Sequence, residues 1–366
     1  MTRPQRAASP AIALDFLRGL AALLVVLVHT RGSSFVEFGA LPVGQRTLPV
    51  AVFFGFTRLG QEAVLTFFVL SGFLVGGQVI ERVRQARFDL RTYAIDRCSR
   101  IFLPLVPACL FTGAISLLVF HEQTNAALLA ANMTGLNGLF APTLARDLPL
   151  WTLSYEIWFY VVGGALGYLA INRSSPGAIA VLALCAIVFS VQGARFLLYW
   201  ALGALMIFLL KGRHLRLMFL SGTLLAIGGG LLLELALPSR SLTTVIPIST
   251  ETSEAIICIG VAAMIPFLCS EYVNRSIGFL RAPAAGLASM SYSVYLFHYP
   301  VNTVLDRFFT KAPELDLTSV SYFLARIAIC LTVSAAFYFC FERNTKYVRR
   351  WLQRPARPYV TVRLAE

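Results

Sequence analysis

The sequence predicts an all-α fold: a polytopic membrane bundle of about ten transmembrane helices with N-terminus and C-terminus both cytoplasmic. Three observations carry this expectation. The 366 residues are 57% hydrophobic and only 13% charged, with a mean hydropathy of +0.72, a balance proper to a chain that lives in a bilayer. Ten stretches approach the roughly 20 apolar residues that a span needs. With the N-terminus placed inside, 21 of the 31 basic residues fall in cytoplasmic segments and 8 in external ones, while Arg18 and Arg326 lie within spans. Such a bias orients membrane helices.

The spans are expected at 12–29, 62–80, 101–120, 151–170, 177–192, 196–210, 217–237, 255–270, 287–305 and 321–341. Region 177–210 fits either two short spans or one span with a re-entrant piece. Residues 1–11 form a cytoplasmic N-tail. Arg3 and Arg6 before an apolar run imitate a secretory signal, but Asp15 and Arg18 interrupt that run and no small-residue cleavage site follows Thr30. It therefore reads as a retained first helix. Residues 12–341 form the membrane domain and 342–366 a basic cytoplasmic tail. There Arg349, Arg350 and Trp351 suit a juxtamembrane, interfacial segment.

The net charge of +13 follows from orientation and contact with the lipid bilayer, and no nucleic acid is an expected partner. Seven cysteines, scattered, odd in number and mostly within apolar runs, read as small core hydrophobes rather than a disulfide framework. The four histidines show no ligand spacing of the His-Glu-x-x-His kind, so no metal is expected. His121 and His214 fall in loops. No repeat or heptad is evident, and oligomeric state leaves no signal.

Candidate chemistry begins in the first helix. An ionisable group in a span is costly and is by default a functional hypothesis. His29 follows Arg18 by eleven residues, about three turns, roughly 16 Å and about 20° around the axis. The two share a face at different depths, which suggests chemistry that uses both sides. Asp15, three residues before Arg18, offers the alternative of a structural ion pair. Arg97 and Arg100 project from one helical face at the cytoplasmic surface, either as a clamp for a phosphate-bearing donor or as ordinary inside-positive charge. Ser71-Gly72 in the second span permits close helix packing or approach of a ligand. Trp151 and Tyr155 suit the outer interface. Glu156 lies about 7–8 Å into the fourth span, to orient a histidine, to position an acceptor hydroxyl, or to bond another helix. Ser291, Tyr295 and His298 share a face of the ninth span. His29, Glu156 and His298 are expected to converge in depth.

Together these residues resemble the integral-membrane acyltransferase-3 family, whose members include bacterial O-acetyltransferases of surface polysaccharides. The resemblance spans residues 12–342. Its most specific element is Arg18, ten residues, His29. Phe68-Val69-Leu70-Ser71-Gly72-Phe73 looks like the family's second-helix motif, and Arg97-Cys98-Ser99-Arg100 like its Arg-x-x-Arg motif. Trp151-Thr152-Leu153-Ser154-Tyr155-Glu156 is similar to its Trp-Ser-Leu-x-x-Glu stretch, with Thr152 where Ser is usual. Tyr292-Ser293-Val294-Tyr295-Leu296-Phe297-His298 resembles the late tyrosine–histidine motif. Glu342 is similar to the acidic residue ending the last span, although the proline that commonly follows is absent.

The resemblance implies a stand-alone membrane O-acyltransferase of the bacterial cytoplasmic (inner) membrane, without a fused hydrolase-like domain. It would move an acyl group, acetyl above all, from cytoplasmic acyl-CoA (acetyl-CoA) to a hydroxyl of a carbohydrate or glycolipid acceptor, with no permanently bound cofactor. Arg97 and Arg100 would hold coenzyme A phosphates. Arg18 would meet the pantetheine or pyrophosphate, or steady the thioester. His29 would act as general base or transient acyl carrier, with Arg18 and Glu156 as the other catalytic residues; Glu156 and His298 would shape the acceptor site, and Ser71, Gly72, Trp151, Ser154, Tyr295 and His298 are acceptor-site or structural residues. External segments 30–61 and 121–150 would choose the acceptor. The residues alone leave open a transporter or flippase, and an acyltransferase acting on a small molecule or lipid.

Overall fold

The computed structural model describes residues 11–236 and 249–354. Arg3 and Arg6 of the expected N-tail, and Arg357 of the basic tail, lie outside them. The described residues form helices α1 (Ile12–Ser34), α2 (Leu48–Phe56), α3 (Gly60–Ser71), a π-helical turn (Gly72–Gly76), α4 (Gly77–Arg84), α5 (Leu90–Leu118), α6 (Ala126–Thr134) and α7 (Trp151–Ile171). Then come α8 (Pro176–Gln192), α9 (Ala194–Leu205), α10 (Leu215–Ala236), α11 (Thr250–Leu268), α12 (Glu271–Ser276), α13 (Arg281–Leu305), α14 (Leu317–Cys340) and α15 (Thr345–Leu352). Among the described residues there is no strand, so the all-α expectation holds.

Local chemistry sets the helix ends. Asp89 caps α5 by accepting from the Thr92 backbone N–H at 2.7 Å, and Ser175 caps α8 ahead of Pro176. Asp316 and Ser319 form a reciprocal capping box on α14, satisfying amide groups that the first turn leaves free. Gly193, at φ +121°, stands between α8 and α9, and the chain there bends by 120°. Such a backbone conformation strains any residue with a Cβ. Region 177–210 is therefore a broken span or a re-entrant loop.

Every expected span falls on a helix, but the figure of ten is not reached by length and apolarity. Six helical stretches among the described residues meet that test, or seven if the bent pair α8–α9 is one span. Helices α7 and α13 fall outside the six, being interrupted by Glu156, Ser291, Ser293 and His298, which turn inward. The lipid-facing character of the bundle is plainest on α10. Leu217, Leu220, Leu224, Ile227 and Leu231 are all exposed, and their alternating spacing of three and four makes one apolar stripe, a surface suited to lipid.

Close backbone approach builds the interior. A Cβ on Gly72 would lie 1.8 Å from the Trp200 carbonyl oxygen, and one on Gly203 would lie 2.0 Å from that of Val69. Gly72 is thus a contact between α9 and the α3–π-turn boundary, the packing role of a small residue. On the other side, α1 packs along α13 and α14. The Arg18 guanidinium donates to the Ala288 carbonyl at 2.9 Å, and Asn302 Nδ2 donates to Thr30 Oγ1 at 3.0 Å, so α1 and α13 run parallel. Arg326, almost wholly buried in α14, reaches Asp306 at 2.6 Å and the Phe309 carbonyl at 2.9 Å. The short α15 sets Arg349 3.6 Å from Asp96 of α5 and leaves Trp351 exposed.

Replacing Gly203 with leucine is expected to cost at least about 2 kcal/mol, because backbone, not a movable side chain, occupies the space. A thermal unfolding scan in detergent checks this.

Candidate active site

A cavity of about 260 Å³ opens between α1, α3, α5, α7 and α13. Arg18, Arg97 and Arg100 line it together with Ser71, Glu156 and Tyr160. Three arginines from two helices thus share one space. Arg18 keeps its anticipated ion pair with Asp15, at 3.8 Å, but its Nε is buried without a partner. The Arg97 guanidinium lies over the Tyr93 and Tyr160 rings, at 5.8 and 5.5 Å from their centres, and its Nε too is buried and unpartnered. The Tyr93 hydroxyl donates to the Tyr160 carbonyl at 2.9 Å, fixing this platform. Arg100 is exposed at the cavity mouth.

Glu156 lies in this cavity. Its Oε1 accepts from the Ser71 hydroxyl at 2.8 Å, Tyr160 bonds the same carboxyl, and Arg97 and Arg100 lie within electrostatic reach. The expectation that Glu156 converges with the two histidines is corrected: it belongs to the arginine end. Depth along a helix does not fix the direction in which a side chain points. Glu342 joins the same group, accepting from the Ser293 backbone N–H at 2.9 Å and hydroxyl at 2.6 Å, within reach of Arg18 and Arg100.

At the other end stand the imidazoles. The rings of His29 and His298 stack in parallel, 5.2 Å between centres and 7° between planes. Tyr299 meets His29 edge-on at 5.0 Å. His298 is fully buried, and its Nδ1 lies 3.0 Å from the Val294 carbonyl. A carbonyl only accepts, so the neutral ring carries its proton on Nδ1 and presents a lone pair on Nε2. That Nε2, like His29 Nδ1, is buried without a partner.

Tyr295 connects the two ends. It lines the cavity, its ring centre is 6.1 Å from that of His298, and Phe67 packs edge-on against it at 5.9 Å. Its hydroxyl pairs with Thr152 Oγ1 at 2.7 Å and donates to the Pro149 carbonyl at 3.1 Å. Ser291, on the same helical face, also lines the cavity, and His298 stands one turn beyond Tyr295.

The remaining candidates are held by contacts within the bundle. Ser154 donates to the Gly135 carbonyl at 2.7 Å and accepts from Gln192 at 2.6 Å, tying segment 121–150 to α7. Trp151 and Tyr155 pack into an aromatic cluster with Phe68 and Phe196, and the Tyr155 hydroxyl donates to the Gln192 carbonyl. His121 and His214 are exposed, outside the helices.

Two features escaped sequence reasoning. Tyr160 follows Glu156 by four residues, a helical spacing that was available as a signal. Asp147 has no exposed surface at all. It sits beside Arg146 in a stretch without helical periodicity, where a carboxylate reads as solvated.

The chain matches a family described as an acyltransferase domain over residues 12–341. It belongs to that family. The match takes in nearly every described helix, and with the apolar helices it makes the chain a multi-pass membrane acyltransferase. No curated protein and no solved structure matches it. In this membrane acyltransferase both ends of the site rest on α1 and α13.

Removing the Tyr295 hydroxyl as Tyr295→Phe leaves the Thr152–Pro149 corner with one bonding partner fewer. The expected cost is on the order of 1 kcal/mol, seen as a lower Tm together with faster proteolysis within 135–150.

Proposed function

We propose that this membrane acyltransferase is an O-acetyltransferase that takes acetyl-CoA from the cytoplasm and acylates a hydroxyl of a carbohydrate, either a surface polysaccharide or its lipid-linked precursor, at the bacterial inner membrane. One observation carries the reading: a single cavity leads from three arginines to a tyrosine that touches a stacked imidazole pair. Both termini then lie in the cytoplasm, the arginine mouth faces inward and the histidines lie toward the outside.

Arg97 and Arg100 hold phosphate oxygens of coenzyme A at the mouth, where a guanidinium fork matches the anion. The cavity volume is small for a whole nucleotide, so the acyl-pantetheine arm enters and the adenosine stays outside. Arg18, deeper in the bundle, steadies the thioester. Tyr295 and Phe67 stand between this arm and His29, so they must turn aside for the thioester to reach it. The acceptor oxygen then attacks the thioester carbonyl as its hydroxyl proton passes to His29. The new C–O bond forms, the C–S bond breaks, and the proton goes on to the coenzyme A thiolate, leaving the histidine as it began. Glu156, bonded by Ser71, balances the arginine charge on the donor side, while His298 supports His29 on the acceptor side.

Labelled acetyl-CoA is added to membranes holding wild type or His29→Ala, with extracted cell-envelope glycans as acceptor. Label is expected in glycan with wild type and none above background with a folded His29→Ala. Label moved equally by both removes His29 from the reaction. No label with either, over a broad acceptor panel, favours a small-molecule acceptor or a translocation role. In a separate binding test, coenzyme A at about 100 times its Kd should stabilise wild type by about 2.7 kcal/mol. Most of that protection should vanish at the same concentration when Arg97 and Arg100 are both alanine.

A further inference from the structure

Asp147 is a buried carboxyl that no folding role accounts for. It has no exposed surface, and it lies just before Leu148–Leu150, the 3₁₀ turn that leads into α7. Its Oδ2 accepts from Thr112 at a long 3.4 Å, and its Oδ1 is buried without any partner. Leaving a buried acceptor unsatisfied costs about 1–3 kcal/mol, so such a group in a native interior calls for an explanation. Burial raises the carboxyl well above the usual carboxylate range. In its protonated form such a carboxyl donates as well as accepts.

Its neighbours give the explanation. Asp147 lies within electrostatic reach of Tyr295 and Tyr299. The first touches His298 and bonds Pro149, two residues beyond Asp147. The second meets the His29 ring edge-on at 5.0 Å. His29 Nδ1, His298 Nε2 and Asp147 Oδ1 are three buried, unpartnered polar atoms, the two rings in contact with Tyr299 and Tyr295 and the carboxyl within electrostatic reach of both. A hydroxyl, which both donates and accepts, is the simplest group able to satisfy such a set.

We infer that Asp147 is an acceptor-binding residue, which bonds the reacting hydroxyl and holds it toward the paired imidazoles. This places one wall of the acceptor site on segment 121–150, with the residue carrying it at the roof of α7. The inference rests on the acyl-transfer reading.

The test measures transfer from labelled acetyl-CoA to extracted envelope glycan with the full chain in membranes, varying donor and glycan separately. Asp147→Ala is expected to raise the apparent KM for glycan at least tenfold and to leave the KM for acetyl-CoA within twofold. Asp147→Asn, whose carboxamide also donates and accepts, should recover most of the loss. Thr112→Val should leave both constants near wild type, because Asp147 keeps its free oxygen. Should Asp147→Ala fail to fold, Asp147→Ser carries the same expectation, since its side chain is too short to reach the hydroxyl. An unchanged glycan KM in folded Asp147→Ala or Asp147→Ser overturns the inference, as does a Thr112→Val enzyme that reproduces the Asp147→Ala defect. Wild type that moves no label would instead overturn the acyl-transfer reading, and this inference with it.

Discussion

The parallel seam between α1 and α13 is the contact on which the rest of the site depends. At one end Gly19 lets the helices meet: a Cβ there would fall 2.5 Å from that of Leu287. The same approach delivers the Arg18 guanidinium to the Ala288 carbonyl. At the other end Asn302 bonds Thr30 and the His29 and His298 rings stack. Eleven residues separate Arg18 from His29 on α1, and ten separate Ala288 from His298 on α13. Two parallel helices of equal rise therefore stay in register over about three turns. A slip of one residue would turn either histidine by about 100° away from its partner.

Charge inside an apolar bundle is the second constraint. An arginine in a span has to find its partners within the protein or at water. Arg326 meets this by pairing with Asp306 and a carbonyl, which makes it a structural group. Arg18 and Arg97 meet it only in part, each with an unpartnered Nε beside a cavity. Glu156 and Glu342 converge on the same region from α7 and from the turn after α14, each held by a serine hydroxyl. Arg18 and Arg97 thus keep hydrogen-bonding capacity beside a cavity, whereas Arg326 spends its own within the fold.

Much of this was legible before the fold. Apolar runs of span length announce helices, and the Arg18–His29 interval fixes a common face because α-helical geometry is regular. What crosses between helices was not legible. The sequence could place His29 and His298 at similar depth, but not stack them. It placed Glu156 at a depth that suited the histidines, whereas the azimuth of α7 turns that carboxyl to Ser71 and the arginines. Gly72 read equally as packing or ligand approach until the Trp200 carbonyl appeared against it. Asp147 carried no signal, because a loop has no periodicity and its burial follows from how segment 121–150 folds back over α5 and α7.

The separation of the two ends by Tyr295 also bears on how an acyl group is protected. A thioester held beside an accessible base would lose its acyl group to water, and sites that do such chemistry exclude water until the acceptor is in place. Here the imidazoles do not line the arginine cavity, whereas Tyr295, packed against Phe67, lines it and also lies against His298. The Tyr295 hydroxyl is anchored at Thr152 and Pro149, on the segment that also carries Asp147. The cavity wall at Tyr295 and the loop that carries Asp147 thus share one hydrogen-bonded corner between α7 and α13.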